Sequence, residues 1–124
     1  MTDLVPLFAA LADRTRLRLL NLMRGSEVCV CFFVEVLGET QPKISRHLAY
    51  LRRAGVVSAR RDGKWIHYSI ARPSDANAAA VLESTLAALE QDRQMQRDRM
   101  ALERACCATR LPPALQNAPR PTAL

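Results

Sequence analysis

Four thiols carry most of the chemistry this sequence could perform. Cys29 and Cys31 form a C-x-C pair in the first third of the chain, and Cys106 and Cys107 are adjacent near its other end. Thiolate is a soft donor, so soft ions favour Cys over His or carboxylate. In an extended segment residues i and i+2 point to the same side, whereas in a helix they lie about 200° apart. Cys29 and Cys31 can therefore share one ion only where the backbone between them is extended or becomes so. The run Ser26–Cys31 alternates and carries β-branched residues, which predicts a short extended segment. A helix N-terminus just after it is expected to lower the thiol pKa and supply thiolate near neutral pH. The ordinary alternative is that each Cys is a small buried hydrophobe. A close pair at each end of the chain argues for a chemical role. No basic-then-apolar leader opens the sequence and no apolar run reaches the roughly 18 residues of a membrane span. The protein is expected in the cytoplasm, away from membranes, with its cysteines as reduced thiols rather than structural disulfides.

The elements that must position these thiols follow from period and punctuation. With 124 residues, 49% apolar and few of them aromatic, the chain reads as a mostly helical domain small enough that dimerisation would help it. Asp3–Ala12 predicts a helix with Leu4, Leu7, Phe8 and Leu11 on one face. Asp13 is placed to N-cap a second helix, Arg14–Arg24. Phe32–Leu37 predicts a third, stopped by Gly38. A fourth follows, capped by Thr40, with Pro42 in its first turn and Gly55 beyond its end. In that helix Ile44, Leu48 and Leu51 make one apolar stripe, and the remaining positions are polar or basic. Val56–Arg61 and Lys64–Ile70 read as two strands joined at Asp62-Gly63, a type I′ hairpin signal. Pro73-Ser74-Asp75 opens a long helix whose Ala79, Leu82, Leu86 and Leu89 form a seam. Glu90–Arg104 is laced with both signs of charge, as an exposed helix would be. Leu111–Leu124, with four prolines, reads as a disordered tail. The expected architecture is mainly α with a small β-hairpin, a winged helix–turn–helix ending in a long C-terminal helix. Residues 1–105 would form the DNA-binding and dimerisation domain and 106–124 a vicinal-cysteine segment and tail.

Charge says what such a domain would meet. The chain carries +6, and Gln41–Arg72 alone holds eight basic residues against one acid, Asp62. A positive face this concentrated predicts a polyanion such as nucleic acid. On the polar face of the fourth helix Gln41 and Arg46 can read base edges, Lys43 and Ser45 suit phosphate, and His47 lies beside them. Arg60, Arg61 and Lys64 crowd the hairpin tip, where they would touch backbone or minor groove. His47 and His67 are the only histidines, and each is expected to hydrogen-bond DNA or neighbouring groups rather than bind metal.

LADRTRLRLLNLM, EVCVCFFVEVL, TQPKISRHLAYLRRAGVV and RRDGKWIHYSI together resemble the ArsR/SmtB family of metal-sensing bacterial repressors, most nearly its arsenic-responsive branch. The resemblance covers roughly residues 4 to 72. It implies a homodimer held by first and last helices, two recognition helices on a two-fold-symmetric double-stranded operator, and release of DNA when a metalloid binds. Arg14 stands where the family usually has Pro, Phe32 where it has Asp, and Val34 where the arsenic branch has a third Cys. Trivalent arsenic or antimony takes three thiolates, while methylarsenite takes two. The expected inducer site is therefore Cys29 and Cys31 plus one of Cys106 and Cys107. A separate two-thiol site at the vicinal pair, suited to an organoarsenical, is the rival arrangement. No cofactor is required. Zinc, cadmium or lead sensing is a weaker reading, because no His follows His67 and no Cys lies near the N-terminus. A thiol redox sensor on the same fold is the main alternative, although a vicinal disulfide is strained. An enzyme is not expected: there is no C-x-x-C pair of the thioredoxin type.

Overall fold

The computed structural model describes residues 3–107 and 118–121. The elements run α1 (Val5–Leu11), α2 (Arg14–Leu22), β1 (Val28–Cys29), α3 (Val30–Leu37), α4 (Gln41–Arg53), β2 (Val57–Asp62), β3 (Trp65–Ile70), α5 (Ala76–Leu89) and α6 (Arg93–Cys107). This is a winged helix–turn–helix. Asp13 caps α2 as its chemistry requires, its side chain accepting from the Arg16 amide at 3.0 Å. Gly38, at φ 68°, ends α3 in the left-handed conformation that side chains resist. The α4 stripe Ile44, Leu48, Leu51 is fully buried and meets Leu19, Leu20 and Leu22 of α2 with Phe32 and Phe33 of α3 in one core. That apolar stripe is what holds α4 to the body and leaves its other face to solvent.

Several expectations are corrected. Thr40 has extended N-cap dihedrals, but its side chain makes no cap hydrogen bond. The hairpin pairs Asp62 with Trp65, so its two turn residues are Gly63 and Lys64, one position later than the Asp-Gly signal suggested. Only Gly63 has positive φ, which is the pattern of a type II′ turn rather than I′. A third strand joins the hairpin. β1 pairs antiparallel with β3, giving the order β1-β3-β2. Phe8 does not face the core: it is 53% exposed, and the buried face of α1 is Leu7, Ala10 and Leu11.

The terminal helical region is two helices. Asp92 interrupts it and caps the second, accepting from the Met95 amide at 3.2 Å. The segment read as a solvated charged helix is packed against α2 and α3, with Met95, Leu102 and Cys106 buried. Its charges serve the contact. Asp98 is buried and receives Arg18 at 2.7 and 3.0 Å; Asn21 donates to the Met95 carbonyl at 2.9 Å; Arg99 donates to the carbonyls of Asn21 and Arg24 at 3.1 Å each. The reading of 111–124 as a disordered tail lies largely outside the described residues, although Ala118 is buried against the core. No described helix is long and apolar enough to cross a membrane.

Candidate thiol site and nucleic-acid interface

Cys29 ends β1 and stands at the N-cap of α3, with extended dihedrals of φ −71° and ψ 143°. Cys31 is the second residue of α3, so the extended run stops short of it. The expected geometry, both cysteines on one strand, is replaced by a strand-to-helix junction. That junction still keeps the two thiols near enough for the Cys31 thiol to act on Cys29. Cys29 is completely buried and Cys31 is half-buried.

Burial pushes the Cys29 thiol up to about 11. The Cys31 amide opposes that shift, the Cys31 thiol adds to it, and the Val30 amide again opposes it. The expectation that the helix N-terminus would make this thiol acidic is therefore overturned. The amides do face the sulfur, but loss of water outweighs them. Among the described residues, no three Cys, His, Asp or Glu side chains converge where they could hold a metal ion. Two thiols are in place. Cys106 is buried near the end of α6, which packs on α3, and the Cys107 side chain lies outside the described part.

Across the sheet from Cys29 lies His67, and across from His67 lies Arg60. His67 is buried, with Nδ1 3.8 Å from Glu27. Among the described residues its Nε2 has no hydrogen-bond partner, and it lies 4.0 Å from Asp62. Glu27 grips Arg60 through contacts of 2.6, 3.1 and 3.2 Å, and the guanidinium holds the Glu27 carboxyl below the usual carboxylate range.

The candidate nucleic-acid residues divide by position. Gln41 and Arg46 are exposed on α4, Ser45 flanks them half-buried, and Lys43 pairs with Glu39 at 3.1 Å. His47 turns inward, 3.3 Å from Arg16 and 3.9 Å from Asp13. Arg61 and Lys64 project at the hairpin tip: Arg61 donates to the Gly63 carbonyl at 3.2 Å and Lys64 lies over Trp65 at 5.2 Å. Arg60 is set back from the tip by its bond to Glu27.

Sequence reading missed Arg16, Tyr50 and Arg53. Arg16 donates to the carbonyls of Ala9 and Ala10 at 3.0 and 2.8 Å, closing the end of α1, and its guanidinium stacks on Tyr50 at 4.3 Å. Arg16, Lys43, Arg46, His47, Tyr50 and Arg53 line a shallow basic groove of ≈ 510 Å³ between α2 and α4. The spacing of 43, 46, 50 and 53 is a helical stripe and could have flagged Tyr50 and Arg53. Nothing local could have flagged Arg16.

Residues 13–59 match the family described as "Bacterial regulatory protein, arsR family". The chain is 44% identical over 86 residues to the arsenical resistance operon repressor of Escherichia coli K12, covering 67% of this chain and 74% of that protein. It is 50% identical over 64 residues to the arsenic resistance transcriptional regulator ArsR1 of Pseudomonas putida KT2440, covering 51% of this chain and 50% of that protein. Among solved structures, the AntR antimony-specific transcriptional repressor superposes with a TM-score of 0.55 at 35% identity, covering 71% of this chain and 78% of that one.

Proposed function

This chain belongs to the arsR family of bacterial regulatory proteins, and on that premise we propose that it is a metalloid-responsive repressor whose inducer is trivalent arsenic or antimony, inorganic or organic. Residues 1–105 bind double-stranded operator DNA as a homodimer, through Gln41, Lys43, Ser45, Arg46 and His47 of α4 and Arg60, Arg61 and Lys64 of the wing. Residues 106–124 deliver further thiols. The observation that carries the reading is the placement of Cys29 and Cys31 together at the start of the helix leading into α4.

The chemistry suits protonated thiols. Each thiol that condenses with an arsenic hydroxyl forms one As–S bond and releases one water, the thiol proton leaving with the hydroxyl. Cys29 therefore needs no standing thiolate, and its raised pKa keeps it from ionising unproductively in the core. Cys29 and Cys31 satisfy a monomethyl arsenical, which has two hydroxyls to lose. Arsenite or antimonite needs a third thiol, and Cys106 or Cys107 is its source. Both thiols sit on the β1–α3 junction. Pulling them onto one atom redirects the first turn of α3, and α3 packs directly on α4.

Arsenite and methylarsenite are titrated against a duplex enriched from a random library by binding to the purified protein. Wild type is compared with single Cys→Ser variants at 29, 31, 106 and 107. Cys29→Ser and Cys31→Ser lose release by both inducers; if either keeps full arsenite release, this site is wrong. Two neighbouring thiols also suit oxidation to a disulfide by peroxide, so release by peroxide in place of arsenite would favour the redox reading.

A further inference from the structure

A row of three side chains crosses the sheet from the thiol site to the wing. Cys29 is opposite His67 on β1 and β3, and His67 is opposite Arg60 on β3 and β2. Directly opposed residues place their Cβ atoms about 4.5–5.5 Å apart on one face. Glu27, two residues before Cys29, reaches past His67 and takes Arg60 in a multi-pronged bond whose shortest contact is 2.6 Å. Arg61 and Lys64 have no carboxylate within salt-bridge distance among the described residues, so Arg60 is the wing cation turned back onto the body.

We infer that Glu27 is a positioning residue that competes with the DNA backbone for Arg60, so that the segment carrying Cys29 governs how many cations the wing offers to DNA. The inference rests on the DNA-binding reading and adds a second route from thiols to DNA, through the sheet rather than through α3. A guanidinium cannot hold the Glu27 carboxylate and a phosphate in the same fork. The bond to Glu27 therefore belongs to the DNA-free form and stabilises it relative to the bound form. A ligand that moves Cys29 and β1 also moves Glu27, the residue that leads into that strand. The bond adds little to folding, because Arg60 is more than half exposed. Removing it therefore leaves the fold in place.

The test is a double-mutant cycle on DNA affinity without any inducer. It uses a random-sequence 30-base-pair duplex and a duplex enriched by binding, each over a range of salt. Glu27→Gln tightens both by about two- to fivefold, the range of one exposed ion pair. Arg60→Gln weakens both and lowers the log–log salt slope by about one. In the Arg60→Gln background Glu27→Gln has no effect. Glu103→Gln, the same charge change at an exposed position on α6, tightens neither. Glu27→Ala reproduces Glu27→Gln if the carboxylate is what matters. The inference is overturned if Glu27→Gln leaves affinity unchanged or weakens it. It is equally overturned if the tightening persists without Arg60 or is matched by Glu103→Gln. A wild type that binds both duplexes but ignores arsenite would sink the inducer reading and leave this cycle intact.

Discussion

Cys29 is a thiol kept protonated by its own burial, and that has a measurable consequence. Its folded pKa is raised from 9.0 to about 11. The folded state therefore holds the proton more tightly than the unfolded state, and the resulting stability is complete below about pH 9. It is lost as pH rises from about 9 through about 11, because unfolding then releases a proton. Urea unfolding midpoints of the wild type should fall between about pH 8 and pH 10.5 by more than those of Cys29→Ala. Equal falls would mean that this thiol is not the titrating group. The same burial explains what the sequence could not convey. Cys29, Cys31 and a helix beginning beside them were legible, although it starts at Val30 rather than Phe32, and a helix N-terminus alone argues for an acidic thiol. How deeply the junction sinks depends on what packs over it, and local spacing carries no record of that. His67 is similar: the sequence left open whether it meets DNA or neighbouring groups, and pairing with β1 buries it between Cys29 and Arg60 in the sheet register.

At the scale of elements, α2 and α4 were readable because their determinants are local: Asp13 before α2, the Ile44–Leu48–Leu51 stripe, and Gly38 between α3 and α4. α6 was not, although one signal was present. The buried positions of α5, Ala78, Ala79, Leu82 and Leu89, and those of α6, Met95, Asp98, Leu102 and Cys106, do not share one register. A phase break over Glu90–Asp92, with Asp92 placed as an N-cap, marks two helices. The burial of Asp98 had no such signal, since its partner Arg18 is eighty residues away. The pair makes α6 specific for α2. Asp98→Asn keeps the shape but removes the charge facing Arg18, and should cost about 2–3 kcal/mol in urea unfolding. Replacing Arg18 and Asp98 together with Leu should recover most of that, because the desolvation cost of the two charges disappears along with their attraction. A double variant no more stable than the single would show that α6 docks through its polar bonds rather than its apolar stripe.

Across the whole molecule, the faces left open set what must be added to make a repressor. Val5 is 71% exposed and Phe8 53% exposed on the same side of α1, opposite the buried Leu7, Ala10 and Leu11. A helix with apolar groups on both faces has one of them waiting for a partner. A two-fold partner would also supply the second α4 that a symmetric operator needs, its reading helices one DNA turn or about 34 Å apart. Phe8→Glu puts a charge in the middle of the outward face without touching the core, so the fold should survive with an unchanged helical circular dichroism spectrum. Sedimentation should then report a dimer for the wild type and a monomer for the variant at micromolar concentration. A lone half-site contact forfeits the second set of base and phosphate bonds, so affinity for the enriched duplex should drop by at least about tenfold, as losing even one good bidentate base contact would. If Phe8→Glu remains dimeric, the interface lies elsewhere on the surface and the exposed α1 face needs another explanation. If it becomes monomeric yet binds DNA undiminished, a single α4 and wing are sufficient for recognition.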